Sequence, residues 1–247
     1  MHVLWRDARP VPSPVSVTPD DAGAVALAEL YALPSDRVTV RAMMNTTVDG
    51  AIAGADGTSG SLHNPDDSFA FGVLRALIDV VVVGAGTVRA EEYRRPLGRR
   101  SLREGTSLRP GGRDHPALAV LSRSGNLPEV VRADWPTFLV TGRDSAREAT
   151  AASGLPTDQV IVADTPEEIL RGLTDRGHRG IQIEGGPSTL AAFVAAGLVD
   201  ELCFSVSHRT VGGPSPRVLD GPLHEQDWAL QSLIVGDHAT LTRYRRI

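Results

Sequence analysis

The sequence predicts an α/β domain built on a single, mainly parallel mixed sheet, flanked by helices and finished by a C-terminal antiparallel hairpin. Three observations predict it. Short apolar runs without polar alternation recur along the chain, as strands covered on both faces require, and Val80-Val-Val-Val83 is the clearest. Helical patterns fall between these runs, the rhythm of parallel strands joined by crossovers. At the end the rhythm stops, and residues 228–235 and 239–244 flank Gly236-Asp237 as the arms of a hairpin would.

Taken in order, residues 1–17 hold Pro10, Pro12 and Pro14, show no apolar period, and read as irregular. A helix is expected next, with Thr18 as N-cap, Asp20 and Asp21 in its first turn, and Leu27, Leu30 and Tyr31 on one face. Pro34 ends it. Strands are expected at 38–44, 80–83, 117–121, 137–141, 160–163, 181–184 and 202–206. Helices fit at 66–77, 145–153, 166–176 and 187–196, the last opened by Pro187 and closed by Gly197.

Composition narrows the function. The 247 residues are 41% apolar and 22% charged, ordinary for a soluble globular protein. A net charge of -5 gives no electrostatic reason to expect nucleic acid or an anionic membrane as partner. The single cysteine, Cys203, excludes an intrachain disulfide and a cysteine-based zinc site, and with it zinc deaminase chemistry. Cys203 lies in the apolar run Glu201-Leu-Cys-Phe-Ser-Val206 and reads as strand core rather than nucleophile. The seven histidines show no metal spacing, so no metal is expected. The N-terminus has no apolar signal region and no apolar run approaches 18 residues, so a cytoplasmic location is expected.

Four segments carry polar chemistry at strand ends. In Val80-Val-Val-Val-Gly-Ala-Gly-Thr-Val-Arg89 a strand runs into glycines, and Thr87 is placed to cap a following helix. Such a turn aims backbone N–H groups at a phosphate, although Arg89 stands where a dinucleotide fingerprint has its third glycine, and a turn without ligand fits equally. In Gly180-Ile-Gln-Ile-Glu-Gly-Gly-Pro-Ser-Thr-Leu190, Gly185 and Gly186 permit close approach of a ligand. Pro187, Ser188 and Thr189 then open a helix whose free N–H groups suit a pyrophosphate. Ser122, Arg123 and Ser124 end a third strand, as a receptor for a terminal phosphate such as the 2′-phosphate of NADPH or as a plain strand-to-loop transition. Asn45-Thr-Thr-Val-Asp-Gly-Ala-Ile52 opens from the first predicted strand as a loop of small polar residues, able to lie over a nicotinamide ring or simply to reverse the chain.

Residues 94–116 break the alternation. They carry Arg94, Arg95, Arg99, Arg100, Arg103, Arg109 and Arg113 with Gly98, Gly105, Gly111 and Gly112, either a solvated loop or a lid offering positive charge to an anionic substrate.

In chain order, the sequence presents Thr47-Val-Asp-Gly-Ala-Ile52, Arg75, Val83-Gly-Ala-Gly-Thr-Val-Arg-Ala-Glu91, Leu121-Ser-Arg-Ser124, Glu184-Gly-Gly-Pro-Ser-Thr189 and Gly197-Leu-Val-Asp-Glu-Leu202 before Val211-Gly-Gly213. That series resembles the reductase domain of bifunctional riboflavin-biosynthesis proteins and their stand-alone relatives, which share the dihydrofolate reductase fold. The resemblance implies a reductase domain over 37–247, preceded by an N-terminal extension, 1–36, with a short helix. It implies NADPH as cofactor, contacted by Asn45, Ser61 and Glu91. Its phosphates would lie against Gly84, Thr87, Gly185, Gly186, Pro187, Ser188 and Thr189, with Ser122 and Arg123 at the adenosine end.

For the substrate the resemblance implies contacts from Ser59, Arg75 and Glu184. Glu91 falls where the family has an aspartate near both ligands, and is the expected proton donor or relay. The expected reaction reduces 5-amino-6-(5-phosphoribosylamino)uracil, or a related pyrimidine, to its ribityl form. Reduction of a pterin or other small heterocycle or carbonyl stays open, as does a non-catalytic NADPH-binding module. A phosphorylated small molecule and a second copy of the chain, in a homodimer, are the expected partners. Departures from the family pattern are the missing deaminase half, Glu92-Tyr-Arg-Arg-Pro-Leu97 after Glu91, and Ser207-His-Arg-Thr210 before Gly212-Gly213.

Overall fold

Each valine of Val80-Val-Val-Val83 is fully buried, Val80 and Val82 on one face of the sheet and Val81 and Val83 on the other. Two-sided burial is why the run shows no polar alternation. The computed structural model, which describes residues 1–102, 108–132 and 135–247, places it in an eleven-stranded sheet. The strands are β1 (His2–Arg6), β2 (Arg9–Ser16), β3 (Thr39–Thr47), β4 (Val80–Gly84), β5 (Ala117–Leu121), β6 (Thr137–Thr141), β7 (Val160–Val162), β8 (Gly180–Gly185), β9 (Glu201–Ser207), β10 (Trp228–Val235) and β11 (Ala239–Arg246). Their order is β2-β1-β10-β11-β9-β3-β8-β4-β5-β6-β7. From β9 to β7 every pairing is parallel, and from β9 outward through β11, β10, β1 and β2 every pairing is antiparallel. The fold is therefore the single mixed sheet that the sequence predicts.

The helices are α1 (Asp21–Leu30), α2 (Pro65–Ala76), α3 (Ala85–Ala90), α4 (Glu129–Arg132), α5 (Ala146–Ser153), α6 (Pro166–Thr174) and α7 (Pro187–Ala195). Asn64 caps α2 by accepting from the Asp67 amide, and Thr165 caps α6 by accepting from the Glu168 amide. None of these helices is long and apolar enough to cross a membrane.

Four expectations are corrected. Residues 1–17 are a hairpin, not irregular chain. β2 is almost wholly exposed on both faces, so its sequence needs no apolar period, and Pro10, Pro12 and Pro14 remove backbone donors from a strand at the open edge of the sheet. The C-terminal hairpin is not an edge, because β1 pairs with β10 and covers it. Asp20, not Thr18, caps α1: its carboxylate accepts from the Gly23 amide at 2.8 Å, and Thr18 supports it with a 2.7 Å hydrogen bond. Thr87 caps nothing, since Gly84 is the N-cap of α3 and Thr87 lies inside that helix.

In the arginine-rich segment, Arg103 and Gly105 lie outside the described residues. Arg99 stacks over Phe69 and reaches the Pro19 carbonyl and Asp21. Arg109 is buried and donates to the carbonyls of Arg113 and Asp114. Both are bound to the body of the protein rather than held out for a ligand. The buried Asp79 secures the same segment from below, accepting from the amides of Gly111, Arg179 and Gly180 at 2.7–2.9 Å.

An ion triad fastens α1 to the sheet. Arg41 of β3, fully buried, donates to Glu201 of β9 at 2.7 and 2.9 Å and to the Tyr31 carbonyl just beyond α1. Arg243 of β11 pairs with the other oxygen of Glu201 and donates to the Leu30 carbonyl. Burial alone would raise the Glu201 carboxyl, but Arg41 and Arg243 hold it below the usual glutamate range. Cys203 lies in the same core, buried, with its thiol pushed up to about 12 by burial, which suits strand core and not a nucleophile.

Removing one member of such a triad leaves charge buried without compensation. Glu201→Gln is expected to lower the unfolding free energy by about 3–5 kcal/mol, measured by urea denaturation. The stability tied to the depressed Glu201 pKa is present above the usual glutamate range and lost on acidification, so the variant should also show a flatter acid limb.

Candidate active site

Because both faces of the central strands are covered, ligand access falls to their carboxyl ends. A cavity of about 420 Å³ opens beside the ends of β3 and β8. It shares Met44, Ile52, Ser59, Thr87, Glu91 and Glu184 with a neighbouring cleft of about 430 Å³ at the ends of β8 and β4. That cleft shares Gly86 and Thr189 with a third, open depression at the ends of β5 and β6. Together they form one continuous groove.

Two glycine turns face each other at its centre. After β4 the chain turns through Gly84 into α3, and after β8 it turns through Gly185 and Gly186 into α7. Gly185 has a φ of +134°, which disfavours any side chain. A Cβ on Gly186 would come within 3.0 Å of Thr87 Oγ1, and one on Gly84 within 3.4 Å of Thr189 Oγ1. Each threonine therefore packs against the opposite glycine, and the two turns line one side of the cleft together. The first turn of α7, entered by Pro187, leaves the amides of Ser188 and Thr189 without partners in the helix. Ser188, Thr189 and Pro187 line the same cleft.

At the outer end Ser122 and Arg123 line the third depression together with Ser124, Thr141, Ser145, Thr165 and Arg89. Ser122 is buried and accepts from the Gly125 amide at 3.0 Å, which fixes the turn after β5 and leaves Arg123 exposed at its tip. Arg89 adds a second exposed cation that the sequence offered only as an interruption of a glycine pattern.

The inner cavity holds the ionisable groups. Glu91 is the C-cap of α3, and its Oε1 accepts from the Ser59 amide at 2.8 Å, so the Ser59 main chain rather than its hydroxyl positions it. Glu184 has a side chain only 1% exposed. Arg75 grips it through Nε at 3.0 and 3.2 Å and through Nη2 at 2.6 Å, while Gln182 donates to it at 2.7 Å and Tyr93 donates its hydroxyl. Arg75 in turn lies over the Phe71 ring, 4.1 Å from its centroid. The guanidinium and carboxylate thus largely cancel each other's charge.

Tyr93 is a site residue that the sequence did not announce. Glu92 takes a left-handed φ of 45°, the Tyr93 amide closes back onto the Val88 carbonyl at 3.0 Å, and the tyrosine swings over Arg75 and Glu184. Asn45 lines the cavity wall, accepting from Ser207 and donating to the Leu62 carbonyl. Ser61 is not brought in: its hydroxyl donates to Asp56 at 2.9 Å, and it lines none of the three spaces. Of the loop arginines, Arg94 lines the cavity. Among the described residues no three His, Cys, Asp or Glu side chains are grouped to hold a metal ion.

Residues 38–240 match the family model of the RibD C-terminal domain. The chain belongs to that family. It is 30% identical over 176 residues to the riboflavin biosynthesis protein RibD of Mycobacterium tuberculosis, an alignment covering 71% of this chain and 43% of that protein. The chain thus spans less than half the length of that relative. It is 26% identical over 155 residues to the 2,5-diamino-6-ribosylamino-4(3H)-pyrimidinone 5′-phosphate reductase of Archaeoglobus fulgidus, covering 60% of this chain and 70% of the other. Among solved structures, a pyrimidine reductase-like protein of Corynebacterium diphtheriae superposes with a TM-score of 0.76 at 22% identity, over 90% of this chain and 98% of that one. That likeness is one of overall fold.

The Tyr93 hydroxyl stabilises a buried carboxylate, so Tyr93→Phe is expected to cost about 1–3 kcal/mol of folding stability. Denaturant titration of the two proteins side by side checks it, and equal stabilities would remove the hydroxyl from the Glu184 network.

Proposed function

We propose that the chain is an NADPH-dependent reductase acting on a ribosylamino pyrimidine 5′-phosphate, 5-amino-6-(5-phosphoribosylamino)uracil or a related ring, and forming its ribityl counterpart. The observation that carries this reading is the continuity of the groove, which joins a bared main-chain cradle to a cavity lined by Glu91, Glu184 and Arg75 in a member of the RibD C-terminal family. Reductases of this family use a nicotinamide cofactor, and the residues here fit one. The facing turns and the first residues of α7 line the cleft with main chain and hydroxyls, as a pyrophosphate needs, and the groove continues to Ser122 and two exposed arginines.

When bound, the reduced cofactor supplies the hydride. The chain's own residues do the rest. Thr87, Ser188, Thr189 and the first amides of α7 hold phosphate oxygens, and Gly84, Gly185, Gly186 and Pro187 shape the space for them. Arg123, with Ser122 behind it and Arg89 opposite, meets the 2′-phosphate. Glu91, fixed by the Ser59 amide, holds the proton that the substrate nitrogen or oxygen requires. Arg75, neutralised by Glu184, orders the cavity wall, and Arg94 offers its charge to the substrate phosphate at the cavity mouth. In this reading residues 37–247 carry the chemistry, and residues 1–36 support it through the triad beneath α1.

The test is oxidation of NADPH by the ribosylamino pyrimidine phosphate, followed by absorbance, with dihydrofolate as comparison. Turnover of the pyrimidine is expected. Turnover of dihydrofolate alone would overturn the substrate, and tight NADPH binding without turnover of either would overturn the activity. Arg123→Ala is expected to reduce the preference for NADPH over NADH by about 10–100-fold, read as a ratio of dissociation constants. Glu91→Gln is expected to lower kcat by about 10²–10⁴-fold. An unaltered rate across pH would sink the proton role.

A further inference from the structure

Asp67 has no part in the reading above, yet it lines the inner cavity and is only 4% exposed. It stands on α2 one turn before Phe71 and two turns before Arg75, and all three line that cavity. One wall of the site thus carries a carboxyl, an aromatic ring and a neutralised guanidinium in sequence. Neighbouring polar residues have other tasks. Asp66 accepts from the amides of His238 and Ala239 and pins the β10–β11 hairpin. Asn64 takes the Asp67 amide, which leaves the Asp67 carboxyl outside the capping interaction.

Asn45 from β3, Ser205 from β9 and His63 from the turn before α2 face that carboxyl. Burial pushes its pKa up, and these three neighbours offset the effect only in part. A carboxylate so placed loses more to burial than its neighbours return. A ligand that brings two adjacent N–H groups relieves the deficit by a bidentate pair of charge-assisted hydrogen bonds. The 2-amino group and ring N–H of a 2-aminopyrimidin-4-one present that pair. A uracil ring presents a carbonyl oxygen in place of the amino group, setting lone pairs against lone pairs.

We propose that Asp67 is a specificity-determining residue of the substrate cavity, selecting a pyrimidine that keeps its 2-amino group over the corresponding uracil. This rests on the reductase reading and chooses between its two candidate rings.

The experiment measures dissociation constants by calorimetry for the two ribitylamino pyrimidine 5′-phosphates, 2-amino and 2-oxo, with the protein saturated in NADP⁺, between pH 5 and 8. The wild type is expected to bind the 2-amino compound at least about 10-fold more tightly at pH 8. That affinity should fall as the pH drops through the raised Asp67 pKa, where the carboxylate is lost. In Asp67→Asn the preference and its pH dependence should both disappear, with NADP⁺ affinity unchanged. The wild-type ratio and its pH profile need no variant, so they decide the matter even if the substitution fails to fold. Equal or reversed preference in the wild type, or a preference that survives Asp67→Asn, overturns the proposal and leaves the reductase reading standing. If NADP⁺ binds and neither pyrimidine does, the substrate reading falls and takes the proposal with it.

Discussion

With Val80 to Val83 buried on both faces of β4, and Ile181 and Ile183 packed beside them on β8, neither face of the central sheet is open to a ligand. Every polar group that could meet a small molecule must then sit where the strands stop. β3, β8, β4, β5 and β6 run parallel, so those stops fall at one end of the sheet, and five strand ends line up as one groove. The glycines matter for the same reason. Where β4 and β8 give way to helices, a side chain on Gly84 or Gly186 would crowd the threonine opposite, and the two turns come this close because none is there.

Two ion networks lie on this frame with different consequences. Arg41 and Glu201 are buried and Arg243 is half-buried; the two guanidiniums share Glu201 and backbone carbonyls, and the triad joins the first helix to three strands. Their geometry is structural. Arg75, Glu184 and Tyr93 form a comparable knot at the cavity wall, where neutralisation removes net charge from the lining. Arg75 would be the obvious anchor for a phosphate if it stood alone. Paired as it is, its charge is already met, and the exposed arginines lining the groove are Arg94 in the inner cavity and Arg89 with Arg123 in the outer depression.

Much of the sheet could be read from the chain because burial on two faces writes itself as uninterrupted apolar runs. Residues 117–121, 137–141 and 228–235 have the boundaries their sequence suggests. β2 could not be read this way, because an exposed edge strand rich in proline has no burial pattern to betray it. The caps fall at Asp20 and Gly84, a few residues after or before the Thr18 and Thr87 that the sequence suggests, because several neighbouring residues can open a helix and packing chooses among them. Ser61 resembled a groove residue by its place in the chain, but a hydrogen bond to Asp56 turns its hydroxyl away.

The sequence by itself determined the class of the fold, the strand ends at which polar residues collect, and the glycines that bare the main chain there. These follow from periodicity and backbone freedom, which are local properties. Tertiary structure alone decided that Tyr93 folds back through a left-handed Glu92 onto Glu184, and that Asp67 faces the cavity while Asp66 faces the hairpin. It also decided that the first seventeen residues complete the sheet. Each depends on which distant element stands opposite, and separation along the chain carries no signal of that.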